Sequence, residues 1–81
     1  MFETEERVHS ARPVHHDTHL YVGQEVVMSK REPGMFGRNG VISHVGYNRL
    51  LGEVIYIDFP DLLLKGCGSF ERTEFRIRTD V

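Results

Sequence analysis

The stretch Gly34-Met35-Phe36-Gly37-Arg38-Asn39-Gly40-Val41-Ile42-Ser43-His44-Val45 constrains this chain more than any other. Its three glycines stand three residues apart and lead straight into a β-branched run. Glycine tolerates positive φ and close backbone approach, so the first half reads as a tight loop. Val and Ile are stiff at χ1 and suit a pleated surface, so the second half reads as a strand. A glycine loop that feeds a strand also excludes the common nucleotide cradles, whose glycines must open a helix to place phosphate on its N-terminus.

Working outward from this stretch, Val22–Lys30 reads as a first strand. Val26 and Met28 alternate there with Glu25, Val27 and Ser29, the period of a half-buried strand. Arg31-Glu32-Pro33-Gly34 is a turn by its Pro-Gly pair. The second strand spans about 41–47, and Gly46–Gly52 returns the chain. Glu53–Phe59 is the third strand, with Ile55, Ile57 and Phe59 on one face and Val54, Tyr56 and Asp58 on the other. Pro60 stops it, because proline cannot donate to a ladder. Asp61-Leu62-Leu63-Leu64-Lys65-Gly66 is too short in leucine for a helix and low in β propensity, so it reads as loop. Ser69–Arg72 begins a fourth strand, Thr73-Glu74 is a short turn, and Phe75–Thr79 is a fifth strand. Short strands with turns this frequent predict a small all-β barrel or sandwich. Its predicted core is Val26, Ile42, Val45, Ile55, Ile57, Phe59, Phe70 and Phe75.

Residues 1–20 read differently. Their apolar side chains, Met1, Phe2, Val8, Ala11, Val14 and Leu20, follow no steady period, and all eight glycines lie after residue 22. The segment is expected to be a flexible, solvated tail with some helical character near residues 3–10. It holds four of the five histidines, His9, His15, His16 and His19. His15 and His19 stand at i, i+4, a spacing that presents two imidazoles to one metal on a helix. Pro13 and the lack of an accompanying Glu weigh against that use, and no metal or cofactor is expected. Deleting residues 1–18 is expected to leave the remaining domain, 21–81, folded.

Charge and cysteine narrow the function. The net charge is −2, and all of it lies in residues 1–20; residues 21–81 carry eight acids and eight bases. A dedicated nucleic-acid binder has a basic excess. Cys67 is the one cysteine, so the chain forms no internal disulfide, and with only Lys65 nearby it reads as an inert thiol. No apolar run approaches the ~20 residues that span a bilayer, and the first residues do not form a secretory signal. A soluble, cytoplasmic protein with no membrane partner is the expectation.

The spacing Gly23-x-x-Val26, Gly40-x-Ile42-x-x-Val45, Ile55-x-Ile57-x-Phe59 and Phe70-x-x-x-Glu74-Phe75 resembles the SH3-like barrel superfamily over residues 21–79. The glycine loop followed by Gly-x-Ile is similar to the KOW pattern of ribosomal proteins and transcription elongation factors. The ending around Phe70 and Glu74 looks more like the electron-transport accessory group, to which a small stromal component of photosystem I belongs. The resemblance implies a five-stranded antiparallel SH3-like barrel. It also implies an accessory, non-enzymatic role, and the residues agree in offering no nucleophile–base–orienter set.

Binding surfaces therefore carry the functional question. Phe36 is either an exposed anchor or a lid folded back on the barrel. Lys30, Arg31, Arg38, Arg49, Tyr47 and Tyr56 would make a basic-aromatic face for nucleic acid, or else a charge-mixed surface interleaved with Glu25, Glu32, Glu53 and Asp58. Leu50, Leu51, Leu62, Leu63 and Leu64 exceed what so small a barrel can bury, so they cap its ends or form an apolar patch. The leading expectation is a binding module that docks on a larger protein or nucleoprotein assembly. The leucines and Phe36 would supply affinity, and Arg38 and Arg49 orientation. The alternatives are a KOW-type nucleic-acid-binding domain of transcription or translation, and a small regulatory inhibitor of an enzyme. Nothing in the spacing fixes an oligomeric state.

Overall fold

The structure is a computed structural model that describes residues 3–81; Met1 and Phe2, two of the tail's apolar side chains, lie outside the described residues. Six antiparallel strands form one sheet: β1 (Arg12–Pro13), β2 (Glu25–Met28), β3 (Asn39–Asn48), β4 (Gly52–Phe59), β5 (Leu64–Cys67) and β6 (Phe75–Ile77). One helix, α1 (Glu3–Ser10), precedes them, and short 3-10 turns at Pro60–Leu62 and Arg72–Glu74 stand before and after β5. The strand order is β1-β6-β2-β3-β4-β5, an open sheet with β1 and β5 at its edges. The all-β character is as expected from the turn spacing, although the strands number six rather than five.

The β3–β4 hairpin is the longest pairing, running from Val41↔Asp58 to Asn48↔Gly52. Asn48 and Gly52 build its turn. The Asn48 Oδ1 accepts the N–H groups of Leu50 (2.8 Å) and Leu51 (3.1 Å), and Gly52 takes φ 78°, the left-handed conformation such a loop needs. At the other end Gly40 has no room for a side chain: a Cβ there would lie 2.5 Å from Ile57 Cγ2.

A bulge explains why Ile42 and Val45, an odd number of residues apart, serve the same core. Ile42 pairs with Ile57 but His44 pairs with Tyr56, so Ser43 is the extra residue and the alternation resets there. Val26, Ile42, Ile55, Ile57, Phe59 and Phe75 are buried in one cluster, and Val45 and Phe70 pack against it. Leu20, Met28 and Ile77 complete that cluster. Phe70 meets Phe59 edge to face, with centroids 5.9 Å apart.

Two expectations are corrected. The fourth strand lies at Leu64–Cys67, not at Ser69–Arg72. Leucine's low β propensity is overridden by pairing, because the 3-10 turn at Pro60 swings the chain back so that Leu64 meets Phe59 and Cys67 meets Ile57. Residues 68–71 then run on beside β4, where Phe70 N donates to Ile55 O (2.9 Å). Glu74 Oε1 accepts the Glu71 N–H (2.8 Å) and Glu74 N donates back to the Glu71 carbonyl (2.9 Å), which closes the following 3-10 turn.

The second correction concerns residues 3–20, which lie against the sheet rather than free of it. Val27, assigned by period 2 to the polar face with Glu25 and Ser29, is 1% exposed. Val8 and Ala11 cover it, with Phe36 packed alongside. At eight residues α1 is shorter than the ~12–15 at which an isolated helix becomes even marginal, so its docking holds it. Its acids stand in the first turn and Arg7 and His9 in the last, the polarity the helix dipole favours. Glu5 takes both Nη atoms of Arg31 (2.7 and 2.9 Å), Arg7 donates to Asn39 Oδ1 (2.8 Å) and to the Gly37 carbonyl, and Arg31 lies over the Phe36 ring at 4.4 Å. Arg12 then pairs with Ile77 as β1 joins β6, and Leu20 enters the main core.

Two substitutions test this packing. Ile57→Ala should cost about 2–5 kcal/mol in denaturant unfolding, and a loss below about 1 kcal/mol would place Ile57 outside the core. Val8→Asp, or deletion of residues 1–18, should lower the melting temperature by ~4–8 °C or more, the shift that about 1 kcal/mol produces in a domain of this size. An unchanged melt would show that α1 adds nothing to the sheet.

Candidate partner-binding surfaces

The hairpin turn places two of the leucines in water. Both Leu50 N–H and Leu51 N–H are held by Asn48, which fixes the backbone and aims the side chains outward; Leu50 is 94% exposed. Tyr47 and Arg49 flank them and are exposed as well.

The second leucine group follows β4. Pro60 sets the first position of the 3-10 turn, and Leu63 closes it by donating its N–H to the Pro60 carbonyl at 3.1 Å. To do so Leu63 adopts φ 53°, ψ 31°, the one non-glycine residue with positive φ among the described residues. Its side chain is 88% exposed, and those of Leu62 and Leu64 are about half exposed. An L-residue in this conformation costs roughly 1–2 kcal/mol, and exposure returns nothing to the fold.

The predicted contact residues do not form one surface. The leucine pair at 50–51 and the triplet at 62–64 stand at opposite ends of β4, whose eight residues at ~3.3 Å each separate them by ~26 Å. Arg38 joins the triplet: its Nη1 lies 2.7 Å from Asp61 Oδ2 and its Nε donates to Gly34 O. Arg49 stays with the hairpin pair. Phe36 belongs to neither end, being half-buried against Val8, Ala11 and Val27 beneath Arg31.

The basic-aromatic face is likewise dispersed. Lys30 pairs with Glu74 at 2.9 Å and Arg31 with Glu5, and hydrogen bonds to these carboxylates, first among the causes, raise both above their ordinary range. Tyr56 is tilted onto His44, with centroids 5.4 Å apart, and Gly68 backs its ring so closely that a Cβ there has no space. Arg72, which no sequence pattern marks, is the most connected cation. It grips Glu53 with Nε and Nη2 (2.7 and 2.8 Å) and donates through Nη1 to the carbonyls of His15 and Thr18 (both 2.7 Å). Nothing in its neighbourhood of sequence signals partners more than fifty residues away.

His15 opens a turn, closed where Thr18 N donates to His15 O (3.2 Å), and His19 lies just beyond it outside any helix, so the two do not share a helical face. Among the described residues no group of three or more metal-binding side chains converges. Cys67 is half-buried opposite Ile57. No helix among the described residues is long and apolar enough to cross a membrane. Comparison of the chain with protein-family models, curated proteins and solved structures gives no match.

The ion pairs predict an acid limb. Arg72 depresses the Glu53 carboxyl below its usual range, chiefly by hydrogen bonding, and the Glu71 N–H followed by Lys30 does the same for Glu74. A carboxylate whose folded pKa is depressed adds stability above the unfolded value of about 4.3, and that increment is lost as pH falls through the folded value. The melting temperature should therefore hold near neutrality and fall below about pH 4, with a shallower fall in Glu53→Gln. An identical acid limb in that variant would contradict the pairing.

Proposed function

We propose that this chain is a non-catalytic docking module, a small SH3-like barrel that binds a protein partner through exposed leucines. What supports the barrel is the strand order: β2 to β5 follow one another as neighbours, and β6 returns to pair with β2, the path a short sheet takes when it curls on itself. Docking is carried by one observation. Leu63 is exposed and sits in a left-handed conformation that glycine would adopt without strain. Such a breach of local preference, with no gain to the fold, is expected where a residue serves contact. Leu62, Leu64 and the Arg38–Asp61 pair surround it and give the contact a polar rim. Leu50 and Leu51 form a second, separate point of attachment.

The arginines favour a protein over a nucleic acid. Arg31, Arg38, Arg72 and Arg78 each hold a carboxylate of this same chain, which leaves their charge already neutralised. A nucleic-acid reading keeps one foothold, the hairpin tip, where Tyr47 is 82% exposed beside Arg49. A stacking ring next to a cation is what a single strand would use.

Capture from native lysate, with and without nuclease, separates these readings. Leu63→Asp should reduce recovery of a nuclease-resistant partner at least tenfold, since a buried leucine contributes about 1.5–3 kcal/mol to a contact. Leu63→Gly should weaken binding too while keeping or raising the melting temperature, because it removes the left-handed strain. Arg38→Ala with Arg49→Ala should weaken capture only modestly. Loss of capture with nuclease, a steep salt dependence and sensitivity to the arginine pair would instead establish nucleic acid.

A further inference from the structure

A cleft of about 390 Å³ opens between the C-terminal end of α1, residues 13–14 of the segment leaving β1, and the stretch from Arg72 to Arg76. Its lining mixes two chemistries: Val14 and Phe36 are apolar, and Ser29, Thr73 and Arg76 are polar. No carboxylate lines it among the described residues, although the chain as a whole is acidic. Three guanidinium groups reach it. Two are neutralised, Arg31 by Glu5 and Arg72 by Glu53.

Arg76 differs from both. It forms no ion pair with a described residue, and its Nη1 lies 3.4–3.5 Å from the carbonyl oxygens of Val8, His9 and Ala11. These are the bonds of a helix end to its nearest cation, at the long limit of useful hydrogen bonding. Half-buried and weakly held, the guanidinium keeps donors to spare, and a planar fork of this kind pairs best with a carboxylate or phosphate.

We propose that this cleft binds a small organic anion, whose carboxylate or phosphate head pairs with Arg76 and whose apolar body lies against Val14 and Phe36. The volume is at the low end for ligand sites, which suits a single ring or short chain and excludes a nucleotide-sized body. The hydroxyls of Ser29 and Thr73 supply further donors to the head. Because α1 forms one wall, an occupied cleft holds the helix to the sheet, so binding and melting temperature are linked. This site is independent of the leucine surfaces.

Phenylacetate, phenyl phosphate, inorganic phosphate and the neutral 2-phenylethanol, titrated into the full chain and followed by NMR, test it. The two aromatic anions should bind with Kd near or below about 1 mM, shift resonances of Val14, Phe36 and the Arg76 Nε–H, and raise the melting temperature. The tighter of the two identifies the head group. 2-Phenylethanol and inorganic phosphate, each lacking one half of the ligand, should bind at least about tenfold more weakly. Arg76→Gln should weaken the anions about tenfold or more and leave 2-phenylethanol unchanged. Arg76 also touches α1, so Thr73→Trp at an exposed position is the second variant; it should fill the cleft and abolish the shifts in a folded chain. Equal affinity for 2-phenylethanol, shifts confined to the leucine loops, or anion binding that survives Thr73→Trp would overturn the site.

Discussion

Burial of β2 on both faces is the constraint from which the rest of the molecule follows. Val26 and Met28 point into the main core and Val27 points out of it, and all three are excluded from water. A strand apolar on both sides needs a cover on each. On one side β3, β4 and β6 bring Ile42, Ile57 and Phe75. On the other, the sheet has nothing to offer, and the chain supplies Val8, Ala11 and Phe36 from segments that stand before and after β2 in sequence. The short helix therefore exists because a single valine needs it, and Glu5 to Arg31 and Arg7 to Asn39 fix where it lands.

The parts of the fold that sequence reveals are those decided locally. Alternation in Glu53–Phe59, the Gly40-Val41-Ile42 entry and the Asn48–Gly52 turn each contain their own cause, and they define the hairpin that dominates the sheet. The bulge at Ser43 is implicit in the odd separation of Ile42 and Val45, since only an extra residue puts both inward. By contrast, β5 is a strand through its partner. Leu64-Lys65-Gly66-Cys67 lacks β-branched residues and pairs because the 3-10 turn delivers it to the edge of β4. Residues 3–20 conceal their docking for a similar reason. Their apolar side chains show no period because Val8, Ala11 and Leu20 are used by two different cores.

The candidate contact surface divides along the same line. Surplus leucine is visible as composition, and the exposure of Leu50 and Leu63 agrees with that excess. What sequence does not convey is that the two groups stand at opposite ends of one strand. Nor does it convey which charges are spent within the chain. Arg38 meets Asp61 and Arg72 meets Glu53 across separations of 23 and 19 residues, distances over which spacing carries no information. An equal count of acids and bases is compatible with a bare cationic face or with a neutralised one. The pairing, which only the fold supplies, decides between them.

The two open edges of the sheet end differently. β1 is two residues long and one of them, Pro13, has no N–H to offer a further strand. β5 is longer and carries Lys65 at its middle, while the next N–H, that of Gly66, is already taken by Asp58 Oδ1 at 2.6 Å. A strand from another molecule would have to strip water from an ammonium group and break that bond before finding partners. Growth of the sheet by edge-to-edge addition is thus opposed at both margins by different means. The exposed leucines therefore sit on a sheet whose two margins are both poorly suited to receive a further strand.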